Sequence, residues 1–163
     1  MTVKNVQRDA EARTLTIDSE FDAPIERVWA LWSDPRLLER WWGPPTYPAT
    51  FVEHDLVEGG RSAYYMTGPD GDQPHGWWRV RSVTPPRSLE IEDGFADEDG
   101  TPKDDHPVMT MRISLDEVTP DRTRMIIQTA FSSVEEMEQL IEMGMEEGMA
   151  LAVGQIDDIL RAA

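Results

Sequence analysis

The segment Ser133 to Ala163 constrains the fold most, because it reads as one long amphipathic helix with a row of side chains missing. Apolar residues recur at helical spacing through Val134, Met137, Leu140, Ile141, Met145, Met149, Ala152, Ile156, Ile159 and Leu160, which marks a face that must be buried. Within that face Gly144, Gly148 and Ala152 stand four residues apart and so fall on one side of a helix. Glycine inside a helix costs about 0.5–1 kcal/mol relative to alanine, so two in register need a reason. Either another backbone approaches closely, or space is kept open beside the helix.

The rest of the chain supplies something for that face to pack on. Arg13 to Phe21 alternates apolar and polar residues at the period of a half-buried strand. The period then changes: Ala23-Pro24 opens a helix carrying Ile25, Val28, Trp29, Leu31 and Trp32, and Ser33-Asp34-Pro35 ends it and caps a second short helix over about 36 to 41. Gly43-Pro44-Pro45 stops that one. From Tyr47 to Phe131, strand-like segments alternate with turn chemistry, giving expected strands near 47–56, 60–67, 75–84, 87–95, 107–117 and 122–131. Short connections of this kind pair neighbours antiparallel as a meander. No repeat or low-complexity linker interrupts the pattern, so residues 1–163 are expected to form a single α+β domain. Its core would be a curved antiparallel sheet of about six to seven strands around a long C-terminal helix, with two short helices after the first strand.

If Gly144 and Gly148 face such a sheet, each absent side chain widens the gap between helix and sheet. Alternate strand residues would line it: Tyr64, Met66, Trp78, Leu89, Ile91, Met109, Met111, Met125 and Ile127.

Several ordered pieces of the sequence carry a resemblance. They are Phe21-Asp22-Ala23-Pro24-Ile25-Glu26-Arg27-Val28-Trp29, Asp34-Pro35, Trp41-Trp42-Gly43-Pro44, and Asp55-Leu56 with Gly59-Gly60. Further on come Gly68-Pro69-Asp70-Gly71, Gly76, Gly144-Met145 and Glu147-Gly148. Together they resemble the START-like (SRPBCC) superfamily and, within it, the Aha-type group named after the heat-shock-protein ATPase activator. Val57 departs from the arginine that members of that group often carry after the Asp-Leu pair. The resemblance implies a helix-grip fold with an elongated cavity between the long helix and the sheet. It does not imply an activity, since relatives include ligand binders, cyclases and aromatases, and chaperone-activating domains.

Composition excludes several classes. A net charge of −17 repels phosphate backbones and anionic lipid headgroups, so neither nucleic acid nor a membrane surface is an expected partner. The chain has no cysteine, which rules out disulfides, thiolate metal sites and a cysteine nucleophile. The N-terminal stretch lacks an apolar signal region and no long apolar run occurs elsewhere, pointing to a cytoplasmic protein. His54, His75 and His106 form no metal-spaced pair, so neither a metal nor a cofactor is expected. The acidic loop Asp97-Glu98-Asp99-Gly100 fails as a calcium loop, because Phe95 and His106 fall where carboxylates are required. Glu146 and Glu147 project to different sides of their helix and make no acid/base pair, and no catalytic constellation is present.

The leading expectation is therefore a noncatalytic module that holds a small apolar or aromatic ligand. The candidate cavity residues are Trp41, Tyr64, Met66, His75, Trp78, Ile91, Met109, Met111, Met125, Ile127, Gly144, Met145, Gly148 and Ala152, with Tyr64, His75, Arg79 or Gln128 as polar anchors. A polyketide cyclase or aromatase would use the same cavity but needs an inward acid or base with a shifted pKa. A chaperone-associated interaction domain would instead need an exposed apolar patch. No feature selects an oligomeric state, homodimer included.

Overall fold

A computed structural model describes residues 3–103 and 105–161. Eight strands form one antiparallel sheet in the order β1-β2-β8-β7-β6-β5-β4-β3. They are β1 (Val3–Asp9), β2 (Thr14–Phe21), β3 (Ala49–His54), β4 (Arg61–Met66), β5 (His75–Thr84), β6 (Ser88–Ala96), β7 (Val108–Thr119) and β8 (Arg122–Ala130). The expected meander is present, with one strand more than anticipated. That strand, β1, pairs with β2 from Asn5↔Asp18 to Asp9↔Thr14. It is an edge strand whose residues from Asn5 to Asp9 are mostly exposed, with only Val6 packed inward, so it has no alternating pattern to betray it. The two short helices consequently follow the second strand.

These helices, α1 (Ile25–Ser33) and α2 (Pro35–Leu38), form for the anticipated reasons. Ile25, Val28, Leu31 and Trp32 share the buried face of α1. The Asp34 carboxylate accepts from the Arg36 backbone N–H at 2.9 Å, which satisfies one orphan donor at the start of α2. His54 then ties α1 to the sheet. Its Nε2 lies 2.8 Å from the Trp32 carbonyl, which can only accept, so Nε2 carries the proton and Nδ1 accepts from the Ser62 hydroxyl at 2.7 Å. Burial lowers the His54 pKa, keeping the ring neutral in this bridging role.

The closing segment is not one helix. It is divided into α3 (Val134–Glu142), α4 (Met145–Gly154) and α5 (Ile156–Arg161), and the last two residues of the expected helix lie outside the described residues. Gly144 makes the first break at φ 97°, a conformation that costs glycine little and an L side chain much more. Its N–H bonds to the Ile141 carbonyl at 2.9 Å, while the Gly148 N–H starts the next turn on the Gly144 carbonyl at 2.8 Å. Gly144 therefore separates two helices instead of extending the small-residue row.

All these helices pack on the inner face of the sheet in two apolar regions. The larger gathers residues of α1, α2, α4 and α5 over β2 to β8 and is rich in aromatics, with Trp32 and Trp41 centroids 4.7 Å apart and Trp42 and Trp78 4.8 Å apart, both edge-on. Such pairs add about 0.5–1.5 kcal/mol each beyond area burial. The smaller, under α3, contains Leu15, Met109, Phe131, Met137 and Leu140. Met149 of α4 packs against both.

Candidate functional site

Where the two apolar regions meet, α4 stands off the sheet and leaves a cavity of about 200 Å³. One wall is the α4 face, Met145, Gly148, Met149, Ala152 and Val153. The opposite wall is the sheet: Tyr64 and Met66 of β4, Asp93 of β6, Met109 and Met111 of β7, and Ile127 of β8. Trp41, Trp42 and Pro44 close one side. The Gln155 side-chain amide holds that segment against the end of α4 by donating to the Gly43 carbonyl at 2.7 Å. A side-chain carbon added at Gly148 would meet nothing within 4 Å, so the missing side chain there keeps space open.

The polar groups of the cavity gather at one place, a Tyr64–Asp93 pair with the unpartnered Trp42 indole N–H beside Tyr64. The Tyr64 hydroxyl donates to Asp93 Oδ1 at 2.8 Å. Three strands build this contact: Tyr64 is in register with Gly76 on β5, and Trp78, two residues on, is in register with Asp93 on β6. A Cβ at Gly76 would overlap the Tyr64 ring and hydroxyl, so the glycine is the seat across which Tyr64 reaches its acceptor. Asp93 is only 7% exposed. Burial raises its pKa from the ordinary 3.8 to about 7, against the opposing effect of the Tyr64 hydroxyl and a smaller one from the Trp78 indole N–H, which leans toward the carboxyl without reaching hydrogen-bond geometry. Burial, and after it the neighbouring Asp93, push Tyr64 well up, so it remains a protonated donor.

Of the residues anticipated for the cavity, Trp41, Tyr64, Met66, Met109, Met111, Ile127, Met145, Gly148 and Ala152 lie around it. Trp78, Ile91 and Met125 do not; they are fully buried in the larger core, where Met125 Sδ accepts the Trp32 indole N–H at 3.4 Å. Gly144 sits at the helix break. His75 lies against Tyr65, with ring centroids 5.3 Å apart and planes tilted by 36°, on the opposite face of the sheet from Tyr64. It does border a smaller pocket that shares Tyr64, Met66, Asp93 and Met109 with the main cavity. Of the proposed anchors only Tyr64 faces the main cavity, since Arg79 and Gln128 are not among its lining residues.

Trp42, Pro44, Asp93, Met149 and Val153 were not anticipated. The signal for Asp93 was present, because it continues the Leu89, Ile91 alternation along β6. Among the described residues, no three or more His, Asp or Glu side chains come together where a metal ion could bind, and no helix is long and apolar enough to cross a membrane.

Residues 22–161 match the family model described as Activator of Hsp90 ATPase homolog 1-like protein. The chain belongs to this family. Among solved structures of the same fold, an Arthrobacter aurescens protein is 51% identical, with 99% of this chain and 94% of that one covered and a TM-score of 0.94. A Mycobacterium smegmatis protein is 45% identical over 99% of this chain and 98% of that one, at TM-score 0.89. DynU16, from the dynemicin biosynthetic locus, shares the fold at 17% identity and TM-score 0.63, covering 91% of this chain and 47% of that one. No curated protein matches the sequence. Membership in the Activator of Hsp90 ATPase homolog 1-like family gives the eight-stranded arrangement its helix-grip identity, with the C-terminal helices gripped against the sheet.

Proposed function

We propose that this chain binds a small, largely apolar molecule in the cavity between α4 and the sheet. The observation that carries this reading is the open space beside Gly148, facing a wall of methionine and aromatic side chains whose polar groups gather at one place. The volume suits one or two rings: an engineered apolar cavity of about 150 Å³ holds benzene. Burying about 300 Å² of ligand surface gives roughly 7 kcal/mol at ~25 cal/mol per Å². Association takes back at least about 4 kcal/mol. A hydrogen bond at the polar pair restores about 1–2 kcal/mol, for a dissociation constant of a few hundred micromolar to about 1 mM. Titrating the protein with naphthylmethanol, followed by calorimetry and ligand fluorescence, tests the reading. Saturable binding that Gly148→Leu removes supports it; absence of binding to the wild-type chain, or undiminished binding to the variant, defeats it.

Asp93 favours a second reading, acid–base catalysis on a carbonyl compound held in the same place. A carboxyl that titrates near neutrality and faces a cavity is suited to proton transfer at pH 7. This reading expects Asp93-dependent exchange of the methyl protons of acetylnaphthalene in deuterated water, observable by NMR. A docking role for the outer surface has less support, because the exposed large apolar residues, Val52, Val57, Val108, Val118, Met143 and Leu151, are distributed over β3, the turn after it, both ends of β7 and the C-terminal helices.

A further inference from the structure

We infer that the molecule this cavity is shaped to hold carries a protonated amine, which seats on the Asp93 carboxylate. The inference rests on the cavity being a ligand site and adds the charge of the ligand. Asp93 is a buried carboxyl with no ion pair to any described residue, and Tyr64 satisfies only Oδ1. Its polar neighbours are both donors, the Tyr64 hydroxyl and the nearby Trp78 indole N–H, which favour the ionised form without neutralising it. A cation is what such a group lacks.

The walls supply no cation and suit an incoming one. Trp41, Trp42 and Tyr64 put aromatic rings around the space, and no lysine or arginine lines it. Aromatic faces attract ammonium groups, more strongly when water is excluded. At longer range the net charge of −17 draws cations toward the protein and repels carboxylates. An apolar ligand with no polar group would gain nothing from the glycine seat at Gly76 that sets Tyr64 on Asp93.

The pH dependence separates this ligand from a hydrogen-bond acceptor. Of the titratable groups at the cavity, Tyr64 from β4 stays protonated, and β7, β8, α4 and the Trp41–Pro44 segment contribute none to its walls. Glu146 of α4 turns away to pair with Arg8 at 2.6 Å, and Glu147 is exposed. On β5, His75 borders the adjoining pocket that shares Asp93, so Asp93 is the one carboxyl of the cavity walls and Asp93→Asn separates its ionisation from that of the histidine. An ammonium ligand binds the ionised form of Asp93 and should tighten as pH rises through 7; a carbonyl ligand accepting from the protonated form should weaken.

Calorimetric titrations of the full chain with naphthylmethylamine, naphthylmethanol and acetylnaphthalene at pH 5.5 and 8 test the inference. At pH 8 the amine should bind about 10-fold or more tightly than the alcohol. That ratio should shrink at pH 5.5 and fall to about one in Asp93→Asn. Proton release on binding the amine, read from titrations at pH 7 in buffers of different ionisation enthalpy, gives the same answer without a variant. Alcohol or ketone binding as tightly as the amine at pH 8, or a ratio that Asp93→Asn leaves intact, overturns the amine while the cavity reading stands. Failure of all three probes to bind overturns both.

Discussion

Gly148→Leu offers the sharpest test of whether α4 is held off the sheet by design of the sequence. Two outcomes are physically open to a large side chain at an inward glycine: it fills a space, or it collides. Collision in a packed core costs typically about 1–3 kcal/mol. Here the first side-chain carbon would meet nothing within 4 Å, so the collision penalty is absent at Cβ. Replacing a helical glycine recovers about 0.5–1 kcal/mol of backbone entropy. The three carbons beyond Cβ then enter the cavity, with up to about 2 kcal/mol from apolar burial at ~0.8 kcal/mol per carbon. Fixing the leucine rotamer returns about 0.5–1 kcal/mol. The net expectation is stabilisation by about 1–2 kcal/mol, a rise in Tm of about 3–6 °C for a chain of this size. Urea and thermal melts measure the stability, and fluorescence titration with naphthylmethanol measures the loss of binding. Gly148→Ala calibrates the helix contribution alone, with about 0.5–1 kcal/mol gained and binding retained. A leucine variant that loses more than about 1 kcal/mol yet still binds the probe would show that the glycine serves close packing and that the ligand sits elsewhere.

Three further expectations follow from the same geometry. Asp93 holds its proton up to about pH 7 when folded, whereas the unfolded chain releases it near 3.8. Below about pH 4 both states are protonated and the effect vanishes; between 4 and 7 only the unfolded state ionises, so stability declines as pH rises, by roughly 4 kcal/mol when complete. Asp93→Asn should remove that decline, and urea melts of both chains at pH 4.5 and 7.5 should diverge by a few kcal/mol; parallel curves would mean that the carboxyl is not desolvated. Gly76→Ala should cost about 1–3 kcal/mol, because its methyl group displaces the Tyr64 ring, and two-dimensional NMR should show the Tyr64 environment shifting with it. Gly144→Ala should cost about 1–2 kcal/mol for an L residue at positive φ, opposite in sign to Gly148→Ala; equal signs in chemical denaturation would contradict the helix break.

That opposition of signs shows what could and could not be read from the chain. Helical spacing places Gly144, Gly148 and Ala152 on one face, and for Gly148 and Ala152 the cavity wall matches that reading. Periodicity contains no information on whether a glycine inside a helical pattern extends the helix or ends it, because the same missing Cβ permits both. The Gly144 choice is made by tertiary context: α3 packs over the smaller apolar region, while Glu146 on α4 is tied to Arg8 on β1. The β1 strand was invisible for a related reason. It is held largely by backbone pairing along β2, and such pairing leaves no trace in side-chain polarity.

The Asp93 site marks the other boundary of legibility. Alternation along β6 assigns position 93 to the inner face, yet an aspartate there reads as a polar residue out of place until its partners are known. Those partners lie on neighbouring strands, with the Tyr64 hydroxyl 29 residues away in sequence and reachable only because position 76 has no side chain. The glycine alone fits a turn or bulge, the tyrosine alone fits core, and the aspartate alone fits an error of register. Only their register across β4, β5 and β6 turns them into one polar site in an apolar cavity. An arrangement that leaves a carboxyl short of a counter-charge opposes folding and is not explained by packing, which is why binding is the place to look for its compensation.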